Sequence, residues 1–330
     1  MGLRILTRGQ VAGLMTFADY VEEVERAFRL HAEGKSLPPQ LMHVDAPGGE
    51  FHVKGGGLLL DRWYFALKAN GSFFGNPAKL GLPAIQGGIL LFDAENGTPL
   101  ALLDSGEITV QRTGAATAVA ARHMARADSR TVTVCGCGKQ GRIQLKALRH
   151  VLPALTRVYA WDASAEAIQR FVREVSRGLE IEVTAAENLE DAVRGSDVVV
   201  TCTPSRTPFI RRAWIRPGAF IAAVGADSPG KQELDADVLA PPTAIVVDLI
   251  EQAVKVGELQ HPVKAGLVDA RDVRAELGEV VAGRKAGRAG NDEVVVYDAT
   301  GTALQDVVAA VAVYRRAIDA GIGIEIDLAT

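Results

Sequence analysis

The 330-residue sequence lacks long hydrophobic runs and an excess of positive charge. Its apolar runs, such as residues 89–92 and 198–200, are far shorter than the about 20 residues that cross a bilayer. The formal net charge is -4, and the charged residues are scattered evenly along the chain. The sequence therefore has no long basic stretch of the kind that binds the phosphate backbone of a nucleic acid. Residues 1–8 contain neither the apolar segment nor the cleavage site of a signal peptide. We therefore expect a cytoplasmic protein that binds neither nucleic acid nor membranes.

Cysteine and histidine are both sparse. The three cysteines include one Cys-x-Cys pair, Cys135 and Cys137, and Cys202 lies far from it. The six histidines are dispersed and contain no His-x-x-x-His pair. Zinc sites usually take their ligands from clusters at such short spacings. The sequence therefore predicts buried or loop thiols and no bound metal.

A hydrophobic content of 48% over this length is enough for two ordinary domains. From Thr16 onward apolar residues recur at helical spacing, and Thr16 with Asp19 predicts a helix N-terminal cap. Pro38 and Pro39 would stop a helix, and the stretch up to Gly57 is rich in Gly, Pro and His. We interpret this stretch as loops around a short strand at residues 51–53. Strands at residues 63–69, 85–92 and 99–103 predict an antiparallel sheet, because the last two are joined by a loop of hairpin length.

The pattern changes after Ser129, where short β-branched runs alternate with helical stretches. Strands are predicted at residues 131–135, 157–161, 181–184, 198–201, 220–224, 245–247 and 294–297. Helices are predicted at residues 108–127, 140–150, 163–177 and 302–320. Strands separated by helices need crossover connections, which give a mostly parallel and buried sheet. The fold class is therefore α/β, with a doubly wound sheet in the second half of the chain.

A Gly-x-Gly-x-x-Gly turn, GCGKQG at residues 136–141, lies between the first of these strands and the following helix. Gly136 would make the tight turn, Gly138 would let the backbone approach a pyrophosphate, and Gly141 would let helix and strand pack closely. The unpaired amides at the helix N-terminus, around Lys139 and Gln140, suit the pyrophosphate itself. The turn therefore predicts a dinucleotide site.

Asp162 closes the next strand, 26 residues after Gly136. An acidic residue there can accept two hydrogen bonds from an adenosine ribose but would repel a 2′-phosphate. The sequence therefore favours NAD(H) over NADP(H), although Arg157 and Lys139 bring positive charge nearby. A tight loop that binds no ligand and a methyltransferase nucleotide site are the alternatives that this pattern leaves open.

Four motifs, in this order, make the chain resemble the ornithine cyclodeaminase/mu-crystallin family over almost its whole length. They are ITVQRTGAATAVAA at residues 108–121, CGCGKQG at 135–141, AVGADSPGKQELD at 223–235 and DATGTALQD at 298–306. The resemblance implies a Rossmann domain, here residues 120–302, that binds NAD(H). It also implies a split α+β domain, here residues 1–119 and 303–330, that binds substrate and forms a homodimer through its sheet.

The resemblance implies three residues that handle substrate. Lys68, in FALKAN at residues 65–70, matches the family's substrate lysine, and Arg112 matches its substrate arginine. Arg112 would hold an α-carboxylate as a bidentate fork, while Lys68 would add a point charge. Asp227 matches the acidic residue beside the nicotinamide, where a carboxyl with a pKa raised by burial can exchange a proton with an amine or imine. Outside this context, Lys68 and Arg112 would be interpreted as surface cations and Asp227 as a turn cap.

Other family-matching positions, predicted to lie near the cofactor, are Thr113, Thr203 and Asp298. The chain departs from the family's cyclodeaminases at Gln40, in a segment where those enzymes carry an arginine. His52 and Lys54 are predicted to replace that missing cation, and with Gln40 they are candidate substrate-binding residues. The segment SPGKQELD at residues 228–235 is similar to the amino-acid dehydrogenase and imine reductase branch.

These features predict an NAD(H)-dependent oxidoreductase that acts on the C–N bond of a small α-amino or imino acid. It would work as an amino-acid dehydrogenase or as an imine or ketimine reductase. Ornithine cyclodeamination, which releases ammonia and recycles the cofactor, is the first alternative. A crystallin-like protein that only binds a small molecule is the second. The joint presence of Lys68, Arg112 and Asp227 favours an enzyme.

Overall fold

The computed structural model describes residues 2–179 and 181–328, and the chain divides into two compact units. Unit 1 comprises Met1–Ala115 and Thr302–Thr330, and unit 2 comprises Ala116–Gly301. Unit 1 thus draws on both chain ends, and the division falls inside the helix Ser105–Met124. Within the described ranges, no helix combines the length and the apolar composition that crossing a membrane requires.

The strands and helices are numbered in chain order. The strands are β1 (Leu3–Leu6), β2 (Ser36–Ala46), β3 (Gly49–Leu59), β4 (Trp63–Ser72), β5 (Ile85–Asp93), β6 (Pro99–Asp104), β7 (Thr131–Cys135), β8 (Arg157–Trp161), β9 (Glu182–Ala185), β10 (Val198–Thr201), β11 (Phe220–Ala223), β12 (Ala244–Val247), β13 (Ala275–Glu276), β14 (Val295–Asp298) and β15 (Ile324–Ile326). The helices are α1 (Arg8–Leu14), α2 (Phe17–Ala32), α3 (Asn76–Leu80), α4 (Ser105–Met124), α5 (Lys139–Val151), α6 (Ala165–Leu179), α7 (Leu189–Arg194), α8 (Ile250–Val256), α9 (Gln260–Lys264), α10 (Leu277–Val281) and α11 (Ala303–Asp319). Short 3₁₀ helices lie at Arg212–Trp214, Ala236–Leu239 and Ala270–Asp272.

Unit 2 is built on an eight-stranded sheet in the order β13-β12-β14-β11-β10-β7-β8-β9, with neighbouring strands parallel. The first strand of this sheet along the chain is β7, which is followed outward by β8 and β9; the chain then returns to form β10 on the other side of β7. Central strands such as β10 and β11 are buried along their whole length, as parallel strands covered on both faces must be. The predicted doubly wound sheet is confirmed, and each predicted strand lies within one residue of its observed bounds.

Unit 1 is built on a seven-stranded sheet in the order β15-β1-β6-β5-β4-β3-β2. Neighbouring strands are antiparallel except for β1 and β6, which are parallel. Helix α11 packs on β3 and β4 and against helix α2, and its residues 303–311 are all buried. The prediction of a second α+β domain formed from both chain ends is therefore confirmed.

Helix α2 begins at the predicted cap and is tied to α11. Thr16 Oγ1 accepts a hydrogen bond from the Asp19 amide at 3.3 Å, and Asp19 Oδ2 accepts one from the Thr16 amide at 2.7 Å. Arg316 of α11 donates to both oxygens of Asp19, each at 2.8 Å. One carboxylate therefore caps α2 and also ties α11 to α2.

The prediction of loops around a short strand at residues 51–53 is wrong. β2 and β3 are each 11 residues long and form an antiparallel hairpin. Pro38 and Pro39 are tolerated because β2 is an edge strand whose register slips beside them. The glycines of β3 allow close packing, since a Cβ on Gly56 would lie 3.1 Å from the Cβ of Ala303 in α11. A tertiary contact, rather than a local turn, explains this glycine.

Candidate active site

The Gly-rich turn joins β7 to α5 in unit 2. Gly136 has a φ of 110°, a value that glycine adopts far more readily than other residues. A Cβ on Gly136 would also lie 2.9 Å from the carbonyl oxygen of Cys202. A Cβ on Gly141 would lie 2.0 Å from the carbonyl oxygen of Gly136. Both positions therefore require glycine, one for the turn and one for the close packing of α5.

Gly138 and the start of α5 form the open part of this turn. Gly138 is exposed, and among the described residues a Cβ on it would meet no atom within 4 Å. Lys139 is exposed and Gln140 is half-buried at the first positions of the helix. The first amides of an α-helix have no partner inside the helix, so its N-terminus suits an anion. The residues present thus fit a pyrophosphate that approaches over Gly138.

Arg142 is a residue of this turn that sequence reasoning missed. Its guanidinium donates to the carbonyl oxygens of Cys137 at 2.5 Å and Gly138 at 2.9 Å. The same guanidinium pairs with Glu174 of α6 at 2.6 Å. An arginine directly after the last glycine of the motif is the signal in the sequence. Arg142 therefore fixes the shape of the turn from its carbonyl side.

Asp162 follows β8 and contacts the Gly-rich turn directly. Its Oδ2 accepts a hydrogen bond from the Cys137 amide at 2.8 Å, and its Oδ1 accepts one from the Ser164 amide at 2.9 Å. Each carboxylate oxygen carries a further lone pair, so both can also accept from hydroxyl groups. The structure thus brings Asp162 to the turn, where a ribose-binding residue would need to lie.

The strands β7 and β10 are neighbours at the point where the chain reverses direction across the sheet. Thr201 lies opposite Cys135, and the Cys202 amide donates to the Cys135 carbonyl at 2.9 Å. Ligands of doubly wound sheets bind beyond the strand ends at this switch point. Thr203 lies here, and its amide and hydroxyl donate to Glu233 Oε1 at 2.6 and 2.7 Å. Glu233, which sequence reasoning missed, thus orients Thr203.

Glu233, Glu258 and Asp298 form a buried acidic cluster at the same edge of the sheet. Glu258 Oε1 accepts from the Glu233 amide at 2.7 Å, and Asp298 accepts from the amides of Glu258 and Leu259 at 3.0 and 2.9 Å. Burial raises the pKa of Glu233 and of Asp298 to about 7, and it raises the pKa of Glu258 well above its ordinary value. These carboxyls therefore hold protons at a pH where exposed ones are ionised. The role of Asp298 in cofactor binding stays a prediction.

Asp227 lies in the turn after β11. Its Oδ1 is 2.7 Å from Nζ of Lys231, four residues further on. The lysine side chain is 6% exposed, whereas the Asp227 side chain is 35% exposed. The prediction that Asp227 transfers a proton assumed that this carboxylate is buried. In the structure the carboxylate is instead partly exposed and forms an ion pair with a buried lysine.

In unit 1, three ionisable side chains meet in the core. Lys68 of β4 places Nζ 2.7 Å from Asp306 Oδ2, and Arg112 of α4 places Nε 3.2 Å from Asp306 Oδ1. Gln305 Oε1 accepts a hydrogen bond from the Arg112 guanidinium at 2.9 Å. All four side chains are buried. Sequence reasoning predicted Lys68 and Arg112 but missed Asp306, the carboxylate that joins them.

Lys54 adds a third cation to this cluster. It lies directly opposite Lys68 on the neighbouring strand and is also buried. Burial, together with repulsion from Arg112 and Lys54, lowers the pKa of Lys68 to about 7 despite the attraction of Asp306. Burial alone would raise the pKa of Asp306, but the charges of Lys68 and Arg112 outweigh it and lower that pKa. One carboxylate does not balance the charge of three basic groups, so the cluster is suited to an anionic ligand.

The remaining predicted residues of unit 1 lie in different places. His52 precedes Lys54 by two residues on β3, so their side chains point to the same face of the sheet. Gln40 is exposed on β2, where it pairs with Gly55. Because its neighbour along the chain pairs with Lys54, the Gln40 side chain points to the opposite face. Thr113 is half-buried in α4. The hairpin therefore groups His52 with Lys54 and separates Gln40 from both.

The three cysteines are free thiols. Burial raises the pKa of Cys135 and of Cys202 well above the usual value, and it raises the pKa of Cys137 to about 12. The thiolate is the reactive form of cysteine. All three are therefore protonated and poorly reactive near neutral pH.

The comparisons with known proteins agree on one family. The model of the ornithine cyclodeaminase/mu-crystallin family matches residues 3–321. Alanine dehydrogenase of Archaeoglobus fulgidus is 39% identical over 323 residues, which are 98% of this chain and 97% of that protein. The solved structure of an archaeal alanine dehydrogenase dimer with bound NAD is 39% identical, has a TM-score of 0.92, and the match covers 99% of this chain and 100% of that one.

A second solved structure extends the comparison to a reductase. It is the Delta(1)-pyrroline-2-carboxylate reductase of Thermococcus litoralis in complex with NADH and L-proline. It is 32% identical, has a TM-score of 0.92, and the match covers 98% of this chain and 100% of that one. These relatives are enzymes, and the prediction of an enzyme is confirmed. The chain belongs to the ornithine cyclodeaminase/mu-crystallin family.

Proposed function

We propose that this chain is an NAD(H)-dependent oxidoreductase that acts on the C–N bond of a small α-amino or imino acid. The observation that carries the proposal is the buried cluster of Lys68, Arg112 and Asp306, with Lys54 beside it. Buried cations are costly unless anions balance them, and Asp306 is a single carboxylate. A substrate α-carboxylate would supply further negative charge, with Arg112 as its bidentate partner.

The Gly-rich turn and Asp162 would hold the cofactor. The N-terminus of α5 would face the pyrophosphate, and the oxygens of Asp162 would accept from the ribose hydroxyls. The negative charge of Asp162 disfavours a 2′-phosphate, so we propose NAD(H) rather than NADP(H). The relatives solved with NAD and NADH support this choice. When bound, the cofactor accepts or supplies the hydride.

Asp227 would move the proton at the substrate nitrogen. In the oxidative direction the Cα–H bond breaks as a hydride leaves, and the N–H proton passes to the Asp227 carboxylate, which yields an imine. In the reductive direction Asp227 returns that proton. Lys231, at 2.7 Å, would hold the carboxylate in position. Lys68 and Arg112 would keep the α-carboxylate fixed, so that the reacting carbon stays oriented.

We also propose that the active form is a homodimer. The face of the β2–β4 sheet opposite the ion cluster exposes large apolar side chains: Met42 is 54% exposed, Val44 46%, Phe51 44% and Leu67 37%. An exposed apolar patch of this kind marks an interaction surface. A second copy of the chain is the proposed partner, since an archaeal relative was solved as a dimer. Replacing Phe51 by Lys should shift the mass measured by light scattering toward the monomer.

Assays in both directions test the reaction. The protein is incubated with NAD⁺ and a panel of small amino acids, and separately with NADH, ammonium and 2-oxo acids or cyclic imines, while NADH absorbance is followed. We expect net turnover with at least one pair. Asp227→Asn should lower kcat by about 10²- to 10⁴-fold with NADH affinity nearly unchanged, and exposed Asp237→Asn should behave as wild type. Undiminished turnover by Asp227→Asn would contradict its role.

Ornithine cyclodeamination is the second candidate, because the matching family model names this activity and the same cations would bind the α-carboxylate of ornithine. In that reaction the internal amine attacks the imine, ammonia leaves and the hydride returns to the substrate carbon. Release of ammonia from ornithine without accumulation of NADH would identify it. Net reduction of NAD⁺ by an amino acid would instead identify the dehydrogenase.

A further inference from the structure

The β2–β3 hairpin gathers two histidines and a glutamate on one face. His43 of β2 lies directly opposite His52 of β3. Glu50 precedes His52 by two residues, so its side chain points to the same side of the sheet. The register of a hairpin, rather than spacing along a helix, therefore brings these three side chains together.

The distances between their polar atoms are close to those of a metal site. His52 Nε2 lies 3.4 Å from Glu50 Oε1, and His43 Nε2 lies 3.9 Å from Glu50 Oε2. One ligand atom from each residue lies within 4.8 Å of the other two. In a tetrahedral site with bonds of about 2.0–2.2 Å, ligand atoms are about 3.4 Å apart. Small rotations of the three side chains would close the difference.

Burial and charge at this position also suit a cation. Glu50 is 6% exposed and His52 5%, and His43 is half-buried. Asp45, opposite Glu50, places Oδ1 3.2 Å from His43 Nε2 and can supply a fourth ligand through a carboxylate oxygen. Because Lys54 lies two residues from His52, a divalent ion needs local negative charge, which Glu50 and Asp45 provide. Imidazole nitrogen with carboxylate oxygen is a donor set that zinc and its first-row neighbours accept.

We propose that His43, Glu50 and His52 form a binding site for a divalent first-row transition metal, with zinc as the best match. The site is distinct from the Lys68–Arg112–Asp306 cluster, and it makes His52 a metal ligand rather than a substitute for a substrate-binding cation. The sequence predicts no metal because its histidines lack helical spacing. Residues 43 and 52 instead have the spacing of a tight β-hairpin, which periodicity along one element does not detect.

Metal titration of the full-length protein tests the proposal. The protein is dialysed against EDTA and then titrated with Zn²⁺ by calorimetry and with Co²⁺ by visible absorption. We expect one tight equivalent of Zn²⁺ and a Co²⁺ spectrum of four- or five-coordinate nitrogen and oxygen ligation. In the wild type, Zn²⁺ should also shift the imidazole NMR signals of two of the six histidines. If the three side chains form only an imidazole–carboxylate pair, no saturable Zn²⁺ binding is expected, and that result would overturn the proposal.

Matched variants locate the bound ion. His43→Gln and Glu50→Gln should each weaken Zn²⁺ binding at least about 100-fold, since loss of an outer-shell partner alone costs about 10- to 100-fold. His150→Gln changes an exposed histidine of α5 and should leave the affinity unchanged. Circular dichroism shows whether each variant is folded. If a variant does not fold, the Zn²⁺-induced shifts of the wild-type histidine NMR signals test the proposal instead. Equal affinity in all three variants would place the metal elsewhere and overturn the proposal.

Discussion

Lys68 Nζ lies 2.7 Å from Asp306 Oδ2, and this ion pair joins strand β4 to helix α11 inside unit 1. The two residues come from the two chain segments that make up the unit. Both side chains are almost fully buried, at 3% and 1% exposed. The contact therefore attaches the last helix to the sheet and also sets the charge beside Lys68. Fold and candidate substrate site depend on the same carboxylate.

Replacing Asp306 by Asn should destabilise the protein strongly. The change leaves Lys68 and Arg112 buried without their shared anion, and breaking a buried pair in this way costs about 3–5 kcal/mol of unfolding free energy. Urea unfolding followed by circular dichroism measures the loss. Asp61→Asn is the matched control, because Asp61 contacts Arg315 at the surface and such pairs contribute about 0–1 kcal/mol. Equal stability of the two variants would show that the buried cluster does not support the fold.

Substrate binding should weaken as the pH rises through neutrality. The pKa of Lys68 is lowered to about 7 by burial and by Arg112, so Lys68 loses its proton above that pH and attracts a carboxylate less. We expect the affinity of the NADH complex for pyruvate, a small 2-oxo acid, to fall by up to about tenfold per pH unit above 7. Lys68→Arg should flatten this profile, because arginine stays charged. A wild-type affinity that is constant to pH 9 would contradict the assignment.

The doubly wound half of the chain could be predicted closely because its signals are local. Strands such as β7 and β10 are runs of β-branched residues, and parallel strands covered on both faces give such runs. The β2–β3 hairpin could not be predicted in the same way. Its prolines lie on an edge strand and Gly56 packs against α11, so their local meaning as loop residues is overridden by tertiary contacts.

The candidate site shows the same division. The Gly-rich turn, Asp162, Lys68 and Arg112 belong to motifs that are contiguous in sequence. Asp306 and Glu233 act through partners far along the chain, and no spacing rule joins them to those partners. Glu233 lies inside the motif at residues 223–235 and Asp306 ends the motif at residues 298–306, but a motif does not name the partner of each of its residues. Pairing of distant charges therefore had to come from the structure.

The buried carboxyls of unit 2 should make stability depend on pH. Unfolded Glu and Asp ionise near pH 4, whereas the pKa of Glu233 and of Asp298 is raised to about 7 in the folded chain. Between these values the folded state binds more protons, so unfolding free energy should fall as pH rises from about 4.5 to 7. For Glu233 alone the shift corresponds to about 3 kcal/mol. Urea unfolding at several pH values should show a smaller slope for Glu233→Gln and an unchanged slope for exposed Glu187→Gln. An unchanged slope in Glu233→Gln would contradict the raised pKa.

Asp162→Asn should change the choice between cofactors. Loss of the charged acceptor should weaken NADH binding by about 10- to 100-fold, since hydrogen bonds to charged groups contribute about 1.5–3 kcal/mol. NADPH should lose much less, because the repulsion of its 2′-phosphate is removed. Fluorescence titration of both nucleotides measures the ratio, with exposed Asp191→Asn as the control. Equal losses for NADH and NADPH would indicate that Asp162 only supports the turn through the Cys137 amide.

Two glycines of the turn should separate stability from cofactor binding. Gly141→Ala forces a Cβ to within 2.0 Å of the Gly136 carbonyl oxygen, so it should reduce both unfolding free energy and NADH affinity. The Cβ of Gly138→Ala meets no atom within 4 Å in the part of the chain that the structure describes, so its unfolding free energy should stay within about 0.5 kcal/mol of wild type. Its new methyl group would nevertheless stand where a pyrophosphate must approach the backbone, and NADH affinity should fall at least about tenfold.

Gly178→Ala completes this comparison, because Gly178 is exposed in α6 and a Cβ there also meets no atom of the described residues within 4 Å. Because it lies in the last turn of the helix, it should change the unfolding free energy by less than about 0.5 kcal/mol and leave NADH binding unchanged. Urea unfolding and fluorescence titration of the three variants therefore give three different outcomes. A Gly138→Ala protein that binds NADH as well as the Gly178→Ala protein would mean that the dinucleotide does not approach over this turn. The open space at Gly138 would then need another explanation.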